Sequence, residues 1–123
     1  MDEKNVCKTN ELNVEGNQEE QVKGYNEKIS VSKNSSSTVT SGSTGSLAGY
    51  AYYSASCTSG TLTATVQYYN NTTQTYENTL ATRTITSGQS FSNESAHVGG
   101  ARLFRLVLSG LTGRGSGSIQ GYD

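Results

Sequence analysis

Two groups of tyrosines are the residues in this chain best suited to contact a ligand. Tyr50, Tyr52 and Tyr53 lie in the run LAGYAYYSASC, and Tyr68 and Tyr69 end the run TLTATVQYY, followed by Asn70, Asn71 and Gln74. A tyrosine ring stacks on the apolar face of a sugar or covers a protein surface, and neighbouring amides supply hydrogen bonds. Tyr50, Tyr52, Tyr68, Tyr69, Asn70, Asn71 and Gln74 are therefore the candidate ligand-binding residues. The competing reading is that the tyrosines fill a core of small residues with their hydroxyls at its rim.

Other chemistry is poorly supported. The segment GLTGRGSGS near the C-terminus resembles a phosphate loop, but no lysine follows its glycines and no helical pattern follows to aim an N-terminus at phosphate. It reads instead as a turn and a strand with glycine at alternate positions, Gly113, Gly115 and Gly117, where a neighbouring chain or ring can approach closely. His97 is the lone histidine, and no G-x-S-x-G elbow accompanies it, so it reads as an exposed loop residue. Glu77 and Glu94 show no spacing that suggests a glycosidase pair, and no loop carries the clustered oxygens of a calcium site. No catalytic residue, cofactor or metal is assigned. Arg83, Arg102, Arg105 and Arg114 lack interleaved lysines, and with a net charge of −1 a nucleic-acid partner is not expected.

Cys7 and Cys57 form no metal-ligand spacing. In an oxidising compartment they can close one disulfide that staples the N-terminal segment to the rest, a cross-link worth roughly 3–4 kcal/mol. In a reducing compartment they are two plain thiols.

The elements that must carry these residues are strands. The 123 residues suit one domain. Serine, threonine, glycine, asparagine and tyrosine crowd the sequence, charged residues are 15%, and tryptophan and proline are absent. Threonine and tyrosine favour strands, and the other three favour turns. Residues 1–28 carry seven acids and four lysines against few large apolar groups, which predicts a flexible or loosely docked acidic arm, with a short strand possible at Glu11–Glu15. Residues 29–123 are the expected β domain. Its strands are Ile29–Lys33, continuing at Thr38–Thr40; Leu47–Cys57; Thr61–Tyr69; Tyr76–Thr86; Ala101–Leu111; and Ser116–Tyr122. Thr58-Ser59-Gly60 predicts a tight hairpin between the second and third of the long runs. The apolar parity change between Leu80 and Ile85 predicts a bulge or a split strand. Ser87–Gly100 reads as a long loop. Apolar residues on both faces make Ala101–Leu111 a central strand, and Ser116–Tyr122 is expected to pair back after a turn at Thr112–Gly115.

Six or seven short strands imply an all-β, antiparallel sandwich, with a small β-barrel as the alternative. The longest apolar run is broken by Arg105, so no transmembrane helix is expected, and MDEKNV is no signal peptide. The composition resembles that of exported bacterial β proteins in their mature form, secreted or held at the cell surface. The expected function is a non-catalytic binding module for carbohydrate or a protein partner. A small secreted toxin or membrane-active β protein and a secreted enzyme inhibitor are the alternatives. Monomer and dimer are both compatible with strand edges this polar.

Overall fold

The structure, a computed structural model, describes residues 25–122. Among them are nine strands and no helix: β1 Lys28–Lys33, β2 Val39–Thr40, β3 Thr44–Ser46, β4 Tyr50–Ser59, β5 Thr61–Asn70, β6 Thr75–Thr86, β7 Ser90–His97, β8 Arg102–Ser109 and β9 Arg114–Tyr122. They form two antiparallel sheets. One has the order β1-β9-β4-β7. The other has the order β2-β8-β5-β6, with β3 also pairing β8. No helix is long and apolar enough to cross a membrane among the described residues.

The period-2 alternation of β5 fixes which face is inside. Leu62, Ala64 and Val66 are buried, while Thr61, Thr63, Thr65 and Gln67 face outward. On β8, Phe104, Leu106 and Leu108 lie opposite Tyr68, Val66 and Ala64 and complete a bulky inner surface. The facing sheet is complementary. β4 contributes Ala51, Tyr53, Ala55 and Cys57, and β9 contributes Ile119 among inward glycines. A methyl group on Gly117 would stand 2.9 Å from the Leu106 side chain, and one on Gly115 would stand 3.1 Å from Leu62. Gly117 and Gly115 thus let the leucines of the other sheet approach, and Gly115 also lies close against the Ser56 carbonyl of β4.

Four expectations change. Val39–Thr40 does not continue β1 but pairs with β8 in the other sheet. β4 and β5 are consecutive but do not pair. The chain crosses from one sheet to the other at Gly60, whose φ of +71° turns it between layers. β9 does not return to β8 but crosses to the other sheet and lies between β1 and β4. The expected loop Ser87–Gly100 contains β7, with Phe91 and Ala96 buried. The bulge falls where the parity change placed it: Val66 pairs with Ala81 and Gln67 with Thr79, leaving Leu80 as the extra residue.

Residues 25–28, placed at the end of the arm by composition, are joined to the domain: the Asn26 N–H donates to the Gly45 carbonyl at 2.7 Å, and Tyr25 bridges to Gly45. The rest of the arm, the Glu11–Glu15 strand and Cys7 lie outside the described residues. Cys57 is a free, buried thiol on the inner face of β4, donating weakly to the carbonyls of Ser59 and Gly60. The disulfide that an oxidising compartment would allow between Cys7 and Cys57 is therefore not among the described contacts.

Candidate functional site

β3 builds one end of the sandwich. Ser46 is fully buried, pairs with Arg102 of one sheet, and donates its hydroxyl to the Tyr122 carbonyl of the other at 2.6 Å. The same oxygen accepts the backbone N–H groups of Ala48 and Tyr50, each at 3.1 Å. Thr44 acts similarly: its hydroxyl donates to the Glu27 carbonyl and accepts the Gly121 N–H at 3.1 Å. Buried hydroxyls of this kind hold only when their bonds are satisfied, and here they fix the starts and ends of β4 and β9.

On those two strands the tyrosines meet. Tyr50 lies opposite Tyr122 on one side and opposite His97 on the other. The Tyr50 and His97 rings stack with centroids 4.0 Å apart and planes within 10°. Tyr122 packs edge-on against Tyr50 at 5.9 Å and tilted against Tyr52 at 4.9 Å. Tyr50 is 39% exposed and Tyr122 46%. The result is a patch of four rings on the outer face of a rigid sheet. A Tyr122 phenolate beside it would repel a second charge, and this, with partial burial and the hydrogen bond to Tyr122, holds the Tyr52 hydroxyl above the usual tyrosine range. Tyr53 points the other way, into the core against Phe91.

Tyr68, Tyr69, Asn70, Asn71 and Gln74 do not join this patch. β5 belongs to the other sheet, so they form a second group at the same end of the molecule. Tyr68 is half-buried on the inner side under the Arg102 guanidinium, 5.9 Å from its ring centre. Tyr69 faces outward and packs edge-on against Tyr76 at 5.2 Å. Arg105 lies 4.4 Å over the Tyr76 ring and donates to Gln67 at 2.8 Å. Burial raises the Tyr76 hydroxyl's pKa, opposed by its hydrogen bond with Ser43 and by Arg105. The Asn70 side chain accepts the N–H groups of Thr72 and Thr73 and shapes the turn, while Asn71 and Gln74 are exposed. Two of these candidates therefore serve the fold: Asn70 the turn and Tyr68 the rim of the core.

The other candidates separate. His97 ends β7 and belongs to the aromatic patch. Arg83 pairs with Glu94 at 3.0 Å and covers Phe91, and Arg114 donates to the carbonyls of Leu111 and Gly113 at the opposite end, so the arginines make no single basic patch. No group of three metal-ligating side chains occurs among the described residues. Tyr122 and His97 are the patch members that sequence reasoning missed, and Ser46 is the buried residue behind them that it did not single out. Tyr122 does share outward parity with Gln120 and Ser118, but only the pairing of β9 with β4 in one sheet brings it to Tyr50.

No family model matches the chain, and no curated protein matches it. Among solved structures, the crystal structure of PirA is similar, with a TM-score of 0.52 at 9% sequence identity, covering 77% of this chain and 93% of that one. At this identity the likeness concerns the arrangement of strands alone.

Proposed function

We propose that this domain is a non-catalytic binding module that recognises carbohydrate, working outside the cell or at its surface. The observation that carries the reading is the patch of Tyr50, Tyr52, Tyr122 and His97 on the outer face of the β1-β9-β4-β7 sheet. Exposed rings held by a sheet lose little freedom when a ligand docks, and their apolar faces and phenolic hydroxyls suit the two sides of a sugar. The sheet also supplies neighbouring donors and acceptors, Gln120 opposite Tyr52 among them.

The test is retention of the purified protein on insoluble polysaccharides and isolated cell walls, with competition by free sugars. Retention that sugars displace, and that Tyr50→Ala and Tyr122→Ala each weaken about tenfold or more without altering the melting temperature, supports the reading. Retention indifferent to both substitutions overturns it. No retention, together with dye leakage from liposomes, favours the membrane-active alternative.

A further inference from the structure

The aromatic patch is one end of a longer pattern. Outward positions of the same sheet line up in rows across the strands. Behind Tyr122, Tyr50 and His97 comes Lys28, Gln120, Tyr52 and Ser95. Next come Ser30, Ser118 and Ser54, and then Ser32, Ser116, Ser56 and Ser90. These two rows, with Ser92, line a shallow depression of about 430 Å³ floored by Gly117, Ala55, Val31 and Phe91. Lys28 is the one charged residue lining it.

The other sheet provides an internal comparison. Its outer face also carries paired hydroxyls, Thr61 with Thr86, Thr63 with Thr84 and Thr65 with Thr82. Threonine is the residue a solvated sheet face favours, and serine is not. One face therefore uses the strand-favouring hydroxyl, and the face beside the aromatic patch uses the smallest one. The consequence is a low floor carrying groups that each donate and accept.

We propose that this face is a track for an extended, neutral polysaccharide chain, anchored at Tyr50, Tyr52 and Tyr122 and laid over the two serine rows. The inference rests on the carbohydrate reading above and extends it from a sugar to a polymer. Six residues of β4 separate Tyr50 from Ser56, about 20 Å along the strand, which is room for several sugar units and too long for one. A polysaccharide presents hydroxyls that donate and accept, as the serines do. Neutrality follows from the lining: a polyanion or nucleic acid would meet a single lysine, where binding to phosphates needs many cations. A protein interface of this size would be expected to place aromatic, methionine or arginine side chains at its centre, where this face has serine. Ser54 already accepts the Asn93 N–H at 2.9 Å and keeps its own proton to donate.

The experiment is calorimetric titration with neutral β-linked oligosaccharides (glucose, xylose and N-acetylglucosamine series) from disaccharide to hexasaccharide, beside polygalacturonate as a polyanion. Affinity is expected to rise about tenfold or more with length in at least one neutral series. The double variant Ser56→Val, Ser116→Val is expected to remove that gain and leave disaccharide binding unchanged. Valine suits a strand, and the melting temperature verifies the fold. Affinity that depends on Tyr50 but not on length sinks the track and leaves the carbohydrate reading standing. Tighter binding of polygalacturonate also overturns the track. Absence of any binding sensitive to Tyr50→Ala overturns both.

Discussion

Ser46 shows how much one buried hydroxyl decides. It is fully buried, and its oxygen holds three backbone groups, two of which belong to or adjoin the rings of the aromatic patch: the Tyr122 carbonyl and the Tyr50 N–H. Removing the hydroxyl takes this hydrogen bond from a carbonyl and two N–H groups in a part-buried seam, at a cost of about 1–3 kcal/mol. Ser46→Ala is therefore expected to lower the urea midpoint. It is also expected to loosen the strand ends that present Tyr50 and Tyr122, a consequence that lost stability alone does not predict. His97 stacks at 4.0 Å on Tyr50, so its ring protons should show ring-current displacement in the native protein and move toward ordinary histidine positions in the variant, in buffer where both are fully folded. An unchanged His97 spectrum would leave Ser46 a stabilising residue with no role in positioning the patch.

At the scale of elements, the opposite end of the sandwich is held by a residue whose type gives no hint of it. Lys33 ends β1 fully buried, and its ammonium donates to the carbonyls of Ser35, Gly110 and Gly113 at 2.5, 2.6 and 2.8 Å. One side chain thus ties the β1–β2 and β8–β9 connections together. Burial, with Arg114 nearby, pushes its pKa below the ordinary lysine value, while the three carbonyls favour the charged form. Lys33→Met is expected to lower the urea midpoint clearly, because three carbonyls lose their donor. Lys28→Met, at an exposed position of the same strand, is expected to change it little. Equal effects would refute the role assigned to Lys33. The contrast marks what the sequence makes legible. Alternation located β5, the parity change between Leu80 and Ile85 pointed to an irregularity in β6, and two-sided apolarity marked β8 as central, because these depend on neighbours along the chain. The partners of β9, the crossing at Gly60 and the burial of Lys33 depend on neighbours far away in sequence. So does the patch: Tyr50 and Tyr52 were identifiable as a pair, but their joining to Tyr122 and His97, and their separation from Tyr68 and Tyr69, follow from which strands share a sheet.

The whole molecule has an uneven alkaline response. Tyr53, Tyr76 and Tyr52 all have hydroxyls whose pKa is raised: Tyr53 and Tyr76 chiefly by burial, Tyr52 chiefly by Tyr122. Below the unfolded value of about 10, both states hold these protons and they contribute no pH dependence. Above it, the unfolded chain releases them while the folded protein retains them. The unfolded state then binds fewer protons, so stability falls as pH rises through this window. Lys33 acts in the opposite sense: between its lowered native pKa and the ordinary lysine value of 10.5 the unfolded chain holds the extra proton, and stability rises with pH. Beyond that value the lysine contribution no longer changes, and the three phenols still lower stability as pH rises. The urea midpoint is therefore expected to fall between about pH 10.5 and about pH 11.5, and Tyr53→Phe with Tyr76→Phe is expected to reduce that fall by removing two of the three protons involved. Phenylalanine keeps the edge-on packing of Tyr53 on Phe91 and of Tyr76 on Tyr69, so both midpoints can be read on a folded protein. A midpoint that stays level or climbs through this window, or a difference the double variant leaves intact, would contradict the assignment of alkaline sensitivity to these buried phenols.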